Sequence, residues 1–409
     1  MRLLVVASTF PASNTDPVPA FVRDQIIAIK KQRPDIEISV LAPHDKRSNT
    51  TDFTQHEHYS EYRFHYFWPH STEKLAGRGI LPALKQNKLN YLLVPFLFIG
   101  EFASLWRLTR KLKPDVIYAH WFTPQAVTVY LASLVTRVPF VYTTHAADVD
   151  VWNKIPLLGK LVVRIVSRKA DAITAVSPRS LAKLERFFNK SQWRDLKPKT
   201  AIIPMGVELP GATNADPAAL KQTYDLDDQR VIFFMGRLAE KKGVSYLLEA
   251  FSELNTANLK LIIAGDGPLR TELENQARAL NINDRVVLTG FLSGQQKTDY
   301  ISLADLVVLP SIITKDGDAE GLPVVFMEAL AAGKICIATN ESGADNIITD
   351  GESGFLLPHK DSQKLKATIE MALNLSPRDQ AKLKTNAREV SRQFDWVTVA
   401  HAHIDFFKF

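Results

Sequence analysis

The apolar positions of this chain fall into two kinds of run. Short runs rich in β-branched residues alternate with longer runs whose apolar positions recur at helical spacing. In the first half the short runs are LLVVAS, EISVLAP, YRFHYF, DVIYAH, FVYTTH, AITAVS and AIIPMG. Longer amphipathic runs such as AFVRDQIIAIKKQ and LAKLERFFN lie between most of them. The second half repeats the scheme, with strands at VIFFMG, LKLIIAG, RVVLTG, LVVLPS, KICIAT and GFLLP. Its helices are predicted at GVSYLLEAF, LRTELENQARAL, QQKTDYISLA and PVVFMEALAA. Alternation of this kind predicts parallel sheets covered by helices on both faces. Two separate stretches of it predict two doubly wound, Rossmann-like α/β domains.

The expected boundary lies in DLKPKTAIIPMGVELPGATNADP, where Pro, Gly and Asn cluster. Residues 1–200 then form an N-terminal domain and residues 201–393 a C-terminal one. The last run, WVTVAHAHIDFFKF, keeps an apolar face after the second domain is complete, so residues 394–409 are expected to pack back on the first.

Length and charge support the division. A chain of 409 residues exceeds one ordinary domain, and its 46% hydrophobic content allows sizeable cores. Residues 1–200 carry 29 Lys+Arg against 16 Asp+Glu, whereas the remainder carries 21 against 28. A basic half joined to an acidic half points to different partners for each. Anionic lipid, nucleic acid and a phosphorylated substrate all suit the basic half. Nucleic acid lacks the basic runs interleaved with aromatics that its readers carry.

The single cysteine, Cys336, rules out an internal disulfide and fits a reducing compartment. The N-terminal MRLLVVASTF reads as a first strand rather than a signal peptide. The most lipid-like segment, Tyr91–Trp106, contains Pro95 and Glu101 and falls short of the roughly 20 apolar residues of a spanning helix. A cytoplasmic protein is expected, with a peripheral position at the inner face of the membrane open to it.

In open α/β sheets, ligands collect beyond the carboxyl ends of the strands, so the residues just after each strand are the ones to read for chemistry. In MGRLAEKKGVSYLLEAF a strand runs into Arg237, Lys242 and Gly243 before a helix. Two cations and free helix-start N–H groups suit a diphosphate; a solvated loop is the plainer reading. In IIAGDGPLR, Asp266 opens a tight strand-to-helix turn that needs no ligand to explain it.

The segment DGDAEGLPVVFMEALAAGK holds two carboxylates, Glu320 and Glu328, seven residues apart. Pro323 stands where a first helical residue would, and the amides of Gly321, Leu322 and Val324 lie near the helix start. Glu328 lies among apolar residues, and burying it unpaired would be costly. It is read as a carboxylate with one dedicated partner, either a buried cation or a pair of sugar hydroxyls. Glu320 is read as a cap or a ligand-facing group. In the basic half, His120 and His145 end neighbouring strands, and Asp148 follows His145 by three residues. Metal-ligand spacings, Asp-x-Asp, Gly-x-Ser-x-Gly and Gly-x-Gly-x-x-Gly are all lacking.

Taken in order, GRLAEKKG, IIAGDGP, LTGFLS, LPS, EGLPVVFMEALAAG, SG and DGESGFLLP resemble the retaining glycosyltransferases of family 4, which have the GT-B fold. TFP, FVRDQ, THAAD, AVSPRS and IPMGV extend the resemblance over nearly the whole chain. It implies two Rossmann-like domains facing a cleft, the second holding a nucleotide-sugar donor.

Arg237 and Lys242 would grip the diphosphate. Glu320 would bond the sugar hydroxyls near the reacting carbon, and Glu328 the ribose hydroxyls. Phe291 and Leu292 would meet the base. His145 would face the transferred sugar, with His120 and Asp148 on the acceptor side. No metal or other cofactor is implied. YRFHYFWP, DGDAEGLP and the loop from Ser311 to Glu320 further resemble the branch that makes colanic-acid-type exopolysaccharides on lipid-linked acceptors.

Three positions depart from the family's pattern. The first loop, ASNTDPVPAFV, carries Pro17 and Pro19, and a proline has no N–H for a phosphate. The usual His-Gly is His145-Ala146, and Ala344-Asp345 stands where Pro-Glu is common. The competing reading of another class is a non-catalytic nucleotide-sugar or carbohydrate binder on the same scaffold.

Overall fold

The structure is a computed structural model. It describes residues 1–409 except 14, 15, 17, 46–49, 77, 78, 146, 147, 209–215, 227, 257, 316, 318 and 321–323, and the side chains of 81, 82 and 85. The chain separates into two compact units. One comprises Met1–Gly206 and Trp396–Phe409, the other Val207–Asp395.

The first unit is built on β1 (Arg2–Val6), β2 (Glu37–Pro43), β3 (Phe53–Gln55), β4 (Ser60–Phe64), β5 (Val116–His120), β6 (Phe140–Thr144), β7 (Ala172–Ala175) and β8 (Thr200–Ile202). They form one sheet in the order β3-β4-β2-β1-β5-β6-β7-β8. All neighbours are parallel except β3, which pairs antiparallel with β4 at the edge. The hydrophobic pattern did not reveal β3, because three residues with one exposed face leave almost no signal.

Strict alternation along β1 divides the core. Leu4 and Val6 join Leu97, Leu105, Val129 and Val163 on one face. Leu3 and Val5 join Val22, Ile26 and Ile29 on the other. In a strand, successive side chains take opposite faces, so a near-continuous apolar run is the mark of a sheet covered on both sides. The C-terminal helix Trp396–Phe407 belongs to this unit. Ala400, Ile404 and Phe407 lie against the helix Phe21–Gln32 on the Leu3 face.

The predicted helix at LAKLERFFN begins earlier, at Pro178 behind the Ser177 cap, and stops at Glu185. Tyr91–Trp106 proves part of a longer run. A 3-10 turn, Lys88–Leu93, leads into the helix Val94–Leu112. By length and composition alone the run Lys88–Leu112 could cross a membrane, contrary to the sequence-based expectation. Here it lies on the sheet. Leu97, Leu105 and Leu108 enter the core, and Glu101 is fully buried. Its carboxylate accepts hydrogen bonds from Gln125 Nε2 (3.0 Å) and the Thr128 hydroxyl. Burial nevertheless pushes the Glu101 carboxyl up to about 7.

The second unit contains β9 (Arg230–Met235), β10 (Leu259–Ala264), β11 (Val286–Gly290), β12 (Leu306–Leu309), β13 (Ile335–Thr339) and β14 (Phe355–Leu357). The sheet is wholly parallel, in the order β11-β10-β9-β12-β13-β14. Its strand order reverses at β9, so β9 and β12 flank the switch point where a crevice forms. Cys336 lies buried in β13, as a small hydrophobe would.

Candidate functional site

Beyond the carboxyl end of β9 the chain passes Gly236 and Arg237 and makes a 3-10 turn, Glu240–Lys242, before the helix Val244–Ser252. Gly243 joins turn to helix at φ +63°, and a Cβ there would lie 2.0 Å from the Pro310 carbonyl oxygen. Only glycine fits this close approach. Gly265, after β10, is as constrained, since a Cβ would lie 1.9 Å from the Gly236 carbonyl oxygen. The loops that follow β9, β10 and β12 therefore pack backbone to backbone and fix the Lys242 turn.

Lys242 Nζ donates to Glu320 Oε2 at 2.9 Å, and Lys241 Nζ lies 3.4 Å from Oε1. Glu320 is buried. Burial pushes its carboxyl up, but the two lysines more than offset this and hold it below the ordinary carboxylate value. It is a charged carboxylate between two cations. Arg237 is exposed beside this cluster in sequence.

Glu328 lies on the helix Val324–Ala331, whose inner face is Phe326, Met327, Ala329, Leu330 and Ala331. Its dedicated partner is Lys297, with Nζ 2.5 Å from Oε1. Lys297 comes from the helix Gly294–Leu303, which follows β11. Phe291, between β11 and that helix, is 54% exposed, while Leu292 is buried. Leu292 thus supports the turn, and Phe291 is the residue of the two that can meet a ligand.

Val324 begins its helix as expected. Gly321, Leu322 and Pro323 lie outside the described residues, and so does Pro17. Asp266 has a local task, accepting from the Gly267 N–H at 2.8 Å while its carbonyl accepts from the Leu238 N–H. The tight turn explains it.

In the first unit, His120 and His145 end β5 and follow β6, and they touch. His120 Nδ1 and His145 Nε2 are 3.2 Å apart. Burial lowers both imidazoles, His145 to about 3 and His120 well below its ordinary value. Each also feels His403 of the C-terminal helix, so both are neutral at physiological pH.

Asp148 is buried and fully engaged. Oδ2 accepts from the Phe122 N–H (2.6 Å), and Oδ1 from the Thr144 hydroxyl (3.0 Å) and the His145 N–H (3.1 Å). It ties the β5 turn to the end of β6. Asp148 and His120, expected on the acceptor side, are both buried, so their side chains act through the residues they hold.

Among the described residues, two groups have ligand atoms close enough for a metal: His44, Asp52 and His65, and His65, His70 and Glu73. Their imidazoles stack face to face, His44 on His65 at 3.8 Å and 8°, and His65 on His70 at 3.6 Å and 21°. Imidazole lone pairs lie in the ring plane, so stacked rings point them side by side rather than at a common ion. The carboxylates act instead as hydrogen-bond acceptors. Asp52 pairs with His44 at 2.9 Å, and Glu73 with His65 at 2.8 Å.

Two family models match this chain. One, described as Glycosyltransferase Family 4, matches residues 32–209, and the other, described as Glycosyl transferases group 1, matches residues 218–390. Both models describe glycosyltransferases, and together they span most of this chain.

Like the family, this glycosyltransferase is of the retaining kind and takes a nucleotide-sugar donor. It is 29% identical over 299 residues to the α-D-kanosaminyltransferase of Streptomyces kanamyceticus, covering 68% of this chain and 75% of that protein. A glycosyltransferase of Salmonella typhimurium assigned to colanic acid biosynthesis is 30% identical over 200 residues, covering 48% of each chain. The sucrose-phosphate synthase of Thermosynechococcus elongatus matches with a TM-score of 0.75 at 19% identity, over 100% of this chain and 98% of that one. Anabaena HepE, solved with UDP and glucose, matches with a TM-score of 0.74 at 22% identity, over 100% and 99%. These likenesses establish the GT-B fold.

Sequence reasoning missed Lys241 and Lys297. Lys241 was visible in EKKG but could not be ranked against its neighbour. Lys297 is one of many surface-type lysines, and only the packing of its helix against Val324–Ala331 singles it out.

Proposed function

We propose that the second unit, residues 201–393, binds the nucleotide-sugar donor at the two lysine–carboxylate pairs. The observation that carries this reading is their arrangement. Lys242 and Lys241 meet at Glu320, and Lys297 meets Glu328, at the two ends of one short segment. Lys242 and Arg237 take the diphosphate, with the Val324 amide at the helix start. Glu320 accepts from hydroxyls of the sugar, Glu328 accepts from those of the ribose, and Phe291 covers the base. The cations stabilise the charge that develops on the departing diphosphate, so no metal is needed for that task.

The first unit supplies the acceptor side, and the C-terminal helix belongs with it. His145 is neutral, so it serves the transferred sugar by hydrogen bonding and not by charge. The acceptor is a saccharide or a lipid-linked saccharide of an exopolysaccharide or cell-surface glycan pathway. The first unit's surface supports this. Leu89, Tyr91, Leu92, Phe96 and Ile99 stand exposed along Lys88–Leu112, and Leu157, Leu158 and Leu161 along the helix Pro156–Lys169. Lysines and arginines flank both. Apolar ridges among cations suit a cytoplasmic enzyme held peripherally on an anionic membrane face.

The test is a panel of nucleotide sugars, UDP-glucose included, with release of nucleoside diphosphate followed in the presence and absence of membrane extract. Release in the native protein and its loss in Glu320→Ala are expected. Binding of donors without any release, extract included, would sink the enzymatic assignment of these residues and leave a binder.

A further inference from the structure

Behind His145 lies a second, fully buried histidine. His120 is fully buried, and its Nε2 has no hydrogen-bond partner. Its other nitrogen, Nδ1, faces His145 Nε2 at 3.2 Å. One of these two atoms carries the shared proton.

If His145 donated from Nε2, His120 would accept on Nδ1, and its own proton would sit on Nε2 as a buried N–H with no acceptor. If His120 donates from Nδ1, the orphaned Nε2 is a bare acceptor. Buried N–H groups without partners are rarer than under-satisfied acceptors, so the second arrangement is favoured.

The surroundings hold the pair in register. Trp121 has φ +74° and ψ 143°, a backbone region that side chains other than glycine rarely occupy. That conformation lays its indole on the His145 ring, with centroids 4.8 Å apart. Phe21 packs on the same ring at 5.3 Å. Phe21 and Trp121 also pack on each other, so the imidazole is crowded by a pair of rings. His145 Nδ1 has no partner among the described residues and is not among the buried unpaired atoms.

We infer that His120 is a positioning residue. By donating from Nδ1 to His145 Nε2 it fixes His145 in the Nδ1–H tautomer and turns that N–H outward as a permanent neutral donor. The ligand group it suits is an oxygen acceptor, such as a sugar hydroxyl or ring oxygen. The tautomer stands on the first unit alone, and only its effect on turnover rests on the function proposed above.

The experiment is a long-range ¹H–¹⁵N correlation of the histidines in the full chain at neutral pH. Native His145 is expected to show a pyrrole-type Nδ1 and a pyridine-type Nε2. His120→Phe should release Nε2 and lose that signature. His120→Asn, whose side-chain amide N–H can replace the donor, should keep it.

With a donor that the native protein turns over, His120→Phe should lower kcat by about ten-fold, the worth of one oriented hydrogen bond, with KM little changed. His120→Asn should recover most of it. An Nε2–H tautomer in the native protein overturns the inference, and so does an unchanged tautomer in a folded His120→Phe. The fixed tautomer without any glycosyl transfer would leave the inference standing and overturn the enzymatic reading.

Discussion

The two units share one architecture and treat charge in opposite ways. The second unit is acidic, and lysines reach its key carboxylates: Lys241 and Lys242 hold Glu320 ionised, and Lys297 pairs with Glu328. The first is basic, yet burial keeps its inner imidazoles neutral, His120 and His145 at the strand ends and His403 on the C-terminal helix, and raises the Glu101 carboxyl in the core to about 7. Their surfaces differ too. Among the described residues, large exposed apolar side chains in the second unit are limited to Phe291, Ile313 and Met371, while the first carries whole ridges of them. A parallel sheet covered by helices fixes where a site lies, but the charge placed there decides what it can bind. Ionised carboxylates among cations suit polar, charged donors. Neutral donors and apolar ridges suit sugars on a lipid surface.

That contrast can be broken most severely at Glu320. Glu320→Ala takes from Lys242 the carboxylate it donates to and removes a carboxylate from the proposed sugar site. Turnover of the donor is expected to fall by about a thousand-fold, in the range seen when one transition-state partner is removed. Circular dichroism should show the fold retained. A loss below about ten-fold would remove Glu320 from the reaction.

A smaller effect is expected at the other pair. Glu328→Ala should weaken nucleoside diphosphate binding by about thirty-fold, as loss of charge-assisted hydrogen bonds implies. Calorimetry with a ribose-modified diphosphate lacking both hydroxyls sharpens this, because the native protein should then bind no better than the variant. Equal preference for hydroxyls in both proteins would place Glu328 elsewhere.

The surface contrast predicts a third result. Leu92→Asp combined with Phe96→Asp should reduce sedimentation with anionic vesicles by about ten-fold or more, since apolar contact is replaced by repelled charge. Met371→Asp in the second unit should leave it unchanged. Binding should also weaken as salt rises. Equal behaviour of the two variants would dissolve the distinction between the surfaces.

The smallest effect concerns Glu101. Its folded-state carboxyl stands at about 7, above the ordinary value of 4.5. The folded protein therefore holds the proton more tightly than the unfolded chain does. The stability this contributes is fully present below the unfolded value and is lost as pH rises through about 7. Glu101→Gln keeps the shape without the ionisation, so the native melting temperature should fall more steeply than the variant's between pH 5 and 8. Parallel profiles would mean that Glu101 stays ionised throughout.

Sequence reasoning reached the elements because they are fixed by near neighbours. EISVLAP proved to be β2 residue for residue, and VVFMEALA a helix, because strand and helix periods are local properties. Two parallel sheets followed from strand–helix alternation, and the ordered motifs carried the family. Glu320, Glu328, Lys242 and His145 could be named because each stands in a recognisable turn beside a strand or in a helix of known phase.

Tertiary structure alone decided which partner each of them has. Glu328 finds Lys297 from 31 positions away, and His145 finds His120 from 25. Asp148, placed on the acceptor side by resemblance alone, ties the β5 turn to the end of β6, while Lys88–Leu112 became a core helix with one open face. Such pairings depend on strand order and helix phase summed over the whole domain, and no local period encodes them. The sequence by itself determined what is hydrophobic, what is charged and where the chain turns. Folding decided which charges are neutralised, because that depends on distance and burial, and both exist only once the sheets are assembled.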